Sequence, residues 1–206
     1  MSDTGTDGDE DRDHALKKAK IKAAKDALYA SKTGEKGLIV VHTGTGKGKS
    51  TAAWGMVLRA LGHGYRVGIV QFVKGAREIG ERVIFDRFPD QLRFVAHGEG
   101  FTWETQDRQK DMALAHQAFE AAKEMMADPE VRMVVLDELN IALRYDYLPV
   151  EEVLEVLRTK RPDLHVVITG RNARPELIEA ADLVTEMQLV KHPFRAGIKA
   201  QPGIEF

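Results

Sequence analysis

Cysteine is absent from the 206-residue chain. That excludes disulfides, zinc–thiolate sites, iron–sulfur ligation and thiol nucleophiles, and it fits a reducing compartment. No apolar run approaches the roughly 20 residues needed to span a bilayer, so no membrane segment is expected. Net charge is nearly missing as well: 30 Lys and Arg face 32 Asp and Glu. Nucleic-acid binders usually present a basic face, so no nucleic-acid partner is expected. The first residues are acidic, unlike a secretory signal. A soluble, cytoplasmic protein is the expectation. His42, His97, His116 and His165 stand at no metal-ligand spacing and read as structural. No internal repeat is visible, and the length suits one domain with a full hydrophobic core.

What is present begins with a composition shift. Residues 1–13 combine Asp3, Asp7, Asp9, Glu10, Asp11 and Asp13 with Gly, Ser and Thr. Nothing there can bury a face, so disorder is expected. Residues 15–30 are good helix formers carrying Lys17, Lys18, Lys22 and Lys25. This basic helix is either a solvated element resting on the domain or a mobile one that folds over a ligand or a neighbouring subunit. Residues 1–36 are thus set apart from a domain over 37–206. In that domain apolar strands alternate with helices. Strands are expected at 37–42, 66–72, 92–96, 131–136, 164–169 and 183–189. Helices are expected at 50–61, 81–88, 107–126, 150–159 and 175–181. Runs such as Met133-Val134-Val135-Leu136 suit strands buried on both faces of a mostly parallel sheet.

The first strand ends in Thr43-Gly44-Thr45-Gly46-Lys47-Gly48-Lys49-Ser50-Thr51, and a helix follows. Strand, glycine loop and helix in that order make a phosphate cradle, the P-loop. Glycines let backbone N–H groups approach an anion, and the helix N-terminus adds partial positive charge. Lys49 supplies a full charge, and the Ser50 hydroxyl suits a Mg²⁺ ion shared with phosphates. The usual pattern has Gly where Thr43 stands, and Lys47 is an additional cation. The fold class expected from this motif and the alternation is the RecA-like P-loop NTPase type, a three-layer α/β sandwich.

Ligands in open α/β sheets bind beyond the carboxyl ends of the strands. The second strand leads to Gln71, Lys74 and Arg77, and the third to Gly98-Glu99-Gly100-Phe101-Thr102-Trp103. The fourth ends in Asp137-Glu138, followed by Leu139 and Asn140; the fifth runs into Gly170-Arg171. Two acids closing an apolar strand form a Walker B arrangement that can hold Mg²⁺ opposite Ser50. Spacing does not decide which acid touches the metal. Arg171 either reaches a phosphate or lies at the sheet edge. Phe101 and Trp103 either plug the core or wall a pocket for a flat apolar ligand.

These motifs, together with Val-Val-Leu-Asp-Glu-Leu-Asn-Ile-Ala-Leu-Arg-Tyr-Asp-Tyr-Leu, Ile-Thr-Gly-Arg, Val-Lys-His-Pro-Phe and Gly-Ile-Lys-Ala-Gln-Pro-Gly-Ile-Glu-Phe, closely resemble the P-loop type of ATP:corrinoid adenosyltransferase. The likeness runs from about Gly37 to Phe206 and departs at Thr45, where Asn is frequent in the family. It implies that a Co(I) corrinoid attacks the 5′ carbon of ATP and that triphosphate leaves. The nucleophile then belongs to the corrinoid, so a chain without Cys needs none of its own. Catalysis becomes charge neutralisation and positioning by Mg²⁺, Lys47, Lys49 and Arg171. The resemblance assigns the nucleotide to Gly44, Thr45, Gly46, Lys47, Gly48, Lys49, Ser50 and Thr51. It assigns the metal to Ser50 and Glu138, with Asp137 beside them. It assigns Phe101 and Trp103 to the corrinoid pocket, where they keep a lower axial ligand off the Co(II) form and ease reduction. It further implies a flavodoxin-like or other flavin reductant, a homodimer, and the basic helix as a cover over the corrinoid. No Asp-x-His-x-x-Gly motif occurs, so corrinoid is a substrate, not a resident group.

Three rival readings differ in product. A RecA-like ATPase or motor would use Glu138 to activate water and release ADP and phosphate. A small-molecule kinase would move the γ-phosphoryl group and would be expected to carry an arginine-rich lid, and no such cluster is seen. A nucleotide-dependent regulatory module would bind ATP and yield no product with reduced corrinoid.

Overall fold

The structure is a computed structural model and describes residues 6–73, 79–96 and 108–205. It falls into two units, Met1–Glu35 and Lys36–Phe206. The first holds one helix, α1 (Thr6–Ala30). Its start lies inside the acidic stretch expected to be disordered. Asp13 stands four residues ahead of Lys17, a spacing that favours helix.

The second unit is an alternating α/β domain. Its strands are β1 (Ile39–Thr43), β2 (Arg66–Gln71), β3 (Leu92–Ala96), β4 (Val131–Asp137), β5 (His165–Thr169) and β6 (Leu183–Glu186). Its helices are α2 (Lys49–Gly62), α3 (Gly80–Phe85), α4 (Arg108–Ala127), α5 (Leu139–Arg144), α6 (Val150–Thr159) and α7 (Pro175–Ala180), with a 3₁₀ turn at Pro193–Ala196. All strand pairs are parallel, in the order β3-β2-β4-β5-β1-β6. Successive residues of a strand point to opposite faces, so each central strand feeds two cores. Val41, Val134, Leu136 and Ile168 pack with Phe119, Leu143 and Leu157 of α4, α5 and α6. Val40, Ile69, Val135 and Val167 pack with Trp54 and Val57 of α2 and Phe85 of α3. Trp54 meets Phe85 edge-on, with ring centroids 5.6 Å apart. Helix, sheet and helix make the three-layer RecA-like sandwich expected of the motif.

The strand order has a direct consequence for chemistry. β5 lies between the P-loop strand β1 and the acidic strand β4. Whatever ends β5 therefore separates the phosphate loop from the acids. Two elements depart from expectation. β6 stops at Glu186 instead of continuing to Leu189, because the next residues leave the ladder to lie on the P-loop. Helix α5 follows the acidic pair directly; its buried Leu139, Ala142 and Leu143 hold it to the sheet. Among the described residues, no helix is long and apolar enough to cross a membrane.

Phe119 is fully buried between α4 and the sheet. Phe119→Ala is expected to lower stability by about 3–5 kcal/mol. Urea unfolding should show a lower midpoint with an unchanged slope.

Candidate functional site

The P-loop is shaped by its neighbours as well as by its glycines. Gly44 and Gly48 have φ of 96° and 103°, a region in which a side chain is strained. The N–H of Gly46 donates to the Met187 carbonyl at 2.6 Å, and the N–H of Met187 donates to the Thr43 carbonyl at 2.9 Å. A Cβ on Gly44 would stand 2.4 Å from the Met187 carbonyl oxygen, and one on Gly46 would stand 2.7 Å from that of Gln188. Both obstacles are backbone and cannot swing away. The segment after β6 is thus a floor against which the loop is pressed, and β6 ends early for that reason.

Lys49 opens α2 and is buried, its Nζ donating to the Gly46 carbonyl at 2.5 Å. Burial holds its ammonium below the usual lysine value; Glu138 opposes that shift, while Arg171 and Lys47 add to it. The lysine therefore lies folded over the loop, within the electrostatic reach of two other cations and one acid.

The two acids have different surroundings. Asp137 is buried at the end of β4. Its Oδ1 accepts from the Thr169 hydroxyl at 2.8 Å and its Oδ2 from Gln71 Nε2 at 3.0 Å. Ser50 stands close enough to influence its titration. Burial pushes its carboxyl above the ordinary value, and Thr169, Ser50 and Gln71 pull it back. Glu138 sits at φ 60°, ψ 22° as the residue before α5. A non-glycine residue there costs about 1–3 kcal/mol and persists only when its surroundings impose it. Here the Glu138 N–H donates to Thr169 Oγ1 at 2.9 Å, which holds the turn. Among the described residues, no donor bonds to the Glu138 carboxylate. Burial first, then Asp137, raise its pKa to about 7; Lys49 and Arg171 oppose that rise.

Gly170 leaves room for this carboxylate. Its φ is 127°, and a Cβ there would stand 3.1 Å from Glu138 Oε2 and 2.8 Å from Asn140 Cβ. Asn140 Nδ2 donates to the Gly170 carbonyl at 2.9 Å, tying the turn after β4 to the turn after β5 that carries Arg171.

These groups surround one cavity of about 520 Å³, lined by Gly46 through Thr51, Asp137, Glu138 and Arg171 among others. Of the expected nucleotide residues, Gly44 is buried beneath the loop and Thr45 is exposed; neither lines this cavity. Arg171 lines it. Phe101, Trp103, Lys74, Arg77 and His97 lie outside the described residues. His42 is buried on β1, and neither ring nitrogen has a hydrogen-bond partner among the described residues; burial lowers its pKa. His165 Nδ1 accepts from the Leu38 N–H at 3.1 Å.

Sequence reasoning missed Thr169, and it missed Trp54 and Glu205, which both line the cavity. Thr169 carried one signal, its place at the end of a strand before Gly-Arg. Trp54 is one turn into the helix that follows the P-loop. Glu205 carried no signal, being joined to the loop only through the fold.

The donor set fits a hard divalent cation. A hydroxyl at Ser50 and a carboxylate at Glu138 face the cavity, and Mg²⁺ characteristically takes one or two protein oxygens plus phosphate and water. Among the described residues, no cluster of three His, Cys, Asp or Glu could hold a metal alone. Phosphate oxygens would have to complete the site.

A sequence model of the family "ATP:corrinoid adenosyltransferase BtuR/CobO/CobP" matches residues 35–206. A protein of Sinorhizobium sp. named corrinoid adenosyltransferase is 56% identical, covering 100% of both chains. One of the same name from Pseudomonas aeruginosa is 54% identical, covering 96% of this chain and 98% of its own length. Among solved structures, a KaiC-like protein of Pyrococcus horikoshii is similar at a TM-score of 0.45 and 19% identity, covering 76% of this chain and 74% of its own.

The raised Glu138 pKa sets a pH dependence of stability. The folded chain keeps a proton on Glu138 between pH 4.5 and about 7, where the unfolded chain has lost it. Stability from this group therefore falls as pH rises through that window and stays reduced above it. Glu138→Gln, neutral throughout, should exceed the wild type in melting temperature above pH 7, with the gap closing near pH 4.5. Thermal melts in metal-free buffer measure this; parallel curves would contradict it.

Proposed function

The chain belongs to the ATP:corrinoid adenosyltransferase family BtuR/CobO/CobP, and we propose that it transfers the 5′-deoxyadenosyl group of ATP to the Co(I) centre of a corrinoid. The observation that supports this most is the convergence of Lys47, Lys49 and Arg171 with Glu138 on one cavity. Such a site neutralises a polyanion. In the reaction, an electron pair on cobalt forms the bond to C5′ while the C5′–O5′ pair leaves with triphosphate. The chain has no thiol to offer as nucleophile and needs none, because the corrinoid substrate supplies one.

The work left to the protein is electrostatic and positional. Loop N–H groups and the N-terminus of α2 receive phosphate oxygens. Lys49, released from the Gly46 carbonyl, moves its buried charge onto the leaving group. Arg171, next to the Gly170 that Asn140 ties down, adds a second charge. Mg²⁺, when bound, neutralises part of the triphosphate charge. Ser50 and Glu138 would hold it. Asp137, with both oxygens already occupied by Thr169 and Gln71, holds the sheet ends in place. The sequence likeness assigns the corrinoid to Phe101 and Trp103, and it is also the ground for a homodimer, a flavin-type reductant, a cytoplasmic setting and the α1 helix as a cover.

A second reading draws on the Glu138 pKa near 7, which would suit a base that activates water for ATP hydrolysis. The products separate the two. Incubation with ATP, Mg²⁺ and chemically reduced cobalamin should give a light-sensitive cobalt–carbon product and inorganic triphosphate in equal amounts. ADP and phosphate would overturn the transfer reading in favour of hydrolysis, and unchanged ATP would favour a binding module. Lys49→Ala should lower kcat/KM by about 100-fold or more, as loss of a buried charge on the leaving group implies.

A further inference from the structure

Lys47, the additional cation of the loop, is already paired. Its Nζ lies 2.5 Å from Glu205 Oε2. The lysine side chain is 56% exposed and the glutamate 16%, so the carboxylate is the more enclosed partner. It is delivered by the turn Gln201–Glu205, in which the N–H groups of Ile204 and Glu205 donate to the Gln201 carbonyl at 3.2 and 3.0 Å. Ile204 and Glu205 both line the cavity beside Gly46, Gly48 and Lys49. Lys47 holds the Glu205 carboxyl below its ordinary pKa, so Glu205 is ionised at neutral pH.

A negative group thus stands at the lip of a cradle suited to a polyanion. Left in place it would repel triphosphate, and it occupies the one loop cation that lies outside the buried core. The pairing has a use. A site that grips triphosphate tightly enough to make it a good leaving group also retains it as product, and release of tightly held product often limits turnover.

We propose that Glu205 is an internal anion that competes with triphosphate for Lys47, so that the lysine passes to the polyphosphate on binding and returns to Glu205 as the product leaves. The inference rests on the reading of the P-loop as a triphosphate cradle. It makes Glu205 a positioning residue, acting through Lys47 and not on the reacting atoms.

Binding of inorganic tripolyphosphate with Mg²⁺ tests it, by calorimetry on the full chain in four forms: wild type, Glu205→Gln, Lys47→Ala and the double variant. Glu205→Gln should bind about tenfold more tightly than wild type, with slower dissociation in stopped flow. In the Lys47→Ala background the same change should tighten binding much less, because only direct repulsion is relieved and there is no lysine left to contest. Damage to the fold would weaken binding, which is the opposite sign. Unchanged or weaker binding by Glu205→Gln, with the wild type binding normally, overturns the inference and leaves the cradle intact. Equal tightening in both backgrounds overturns it in favour of simple charge repulsion. No binding to the wild type overturns the cradle reading and this inference with it.

Discussion

One hydroxyl orders the site. Thr169 Oγ1 donates to Asp137 and accepts from the Glu138 N–H, at 2.8 and 2.9 Å. A hydroxyl can do both at once, which a carboxylate or an ammonium cannot. The first bond locks Asp137 into the sheet. The second fixes the left-handed turn at Glu138 that ends the strand and starts α5. Two acids adjacent in sequence thereby acquire separate surroundings. Asp137 is buried and bonded on both oxygens; Glu138 is thrown toward the cavity, with Lys49 and Arg171 as its counter-charges. The arrangement is available only because β5 runs between β1 and β4.

The phosphate loop depends in turn on the opposite neighbour of β1. The backbone of Met187 and Gln188 presses on Gly44 and Gly46 so closely that no side chain would fit. The loop's glycines therefore meet two demands, approach to an anion on one side and approach of a chain segment on the other. The same segment leads on toward the Gln201–Glu205 turn, which returns to the loop through Lys47. Cradle, floor and tail form one connected unit around the ligand volume.

Much of this was legible in the chain, and the limits have physical causes. The P-loop and the acidic pair are local patterns: each needs only a strand, a tight turn and a helix in succession, and sequence spacing carries that. The sheet class was legible because strands such as β4 are apolar on both faces. The strand order was not, since it depends on which edges pair across long separations. Without it, Thr169 is one more strand-end threonine, and spacing alone does not tell Asp137 from Glu138; only the family likeness did. The early end of β6 was hidden for a related reason: Met187 and Gln188 have strand-like neighbours in sequence, and only contact with the loop withdraws them. Glu205 lies 158 residues from Lys47, and no periodicity links the two.

The division of labour between the two acids is the claim on which the account rests, and a crystal structure with Mg²⁺ and a non-reacting ATP analogue tests it most directly. The account predicts phosphates against the N–H groups of Gly46 to Lys49, the metal on Ser50 and Glu138, and Asp137 still bonded to Thr169 and Gln71. It also predicts the nucleotide's 5′ carbon facing open space large enough for a tetrapyrrole. Asp137 turned out to the metal with its Thr169 bond broken, or a 5′ carbon walled in by protein, would contradict it.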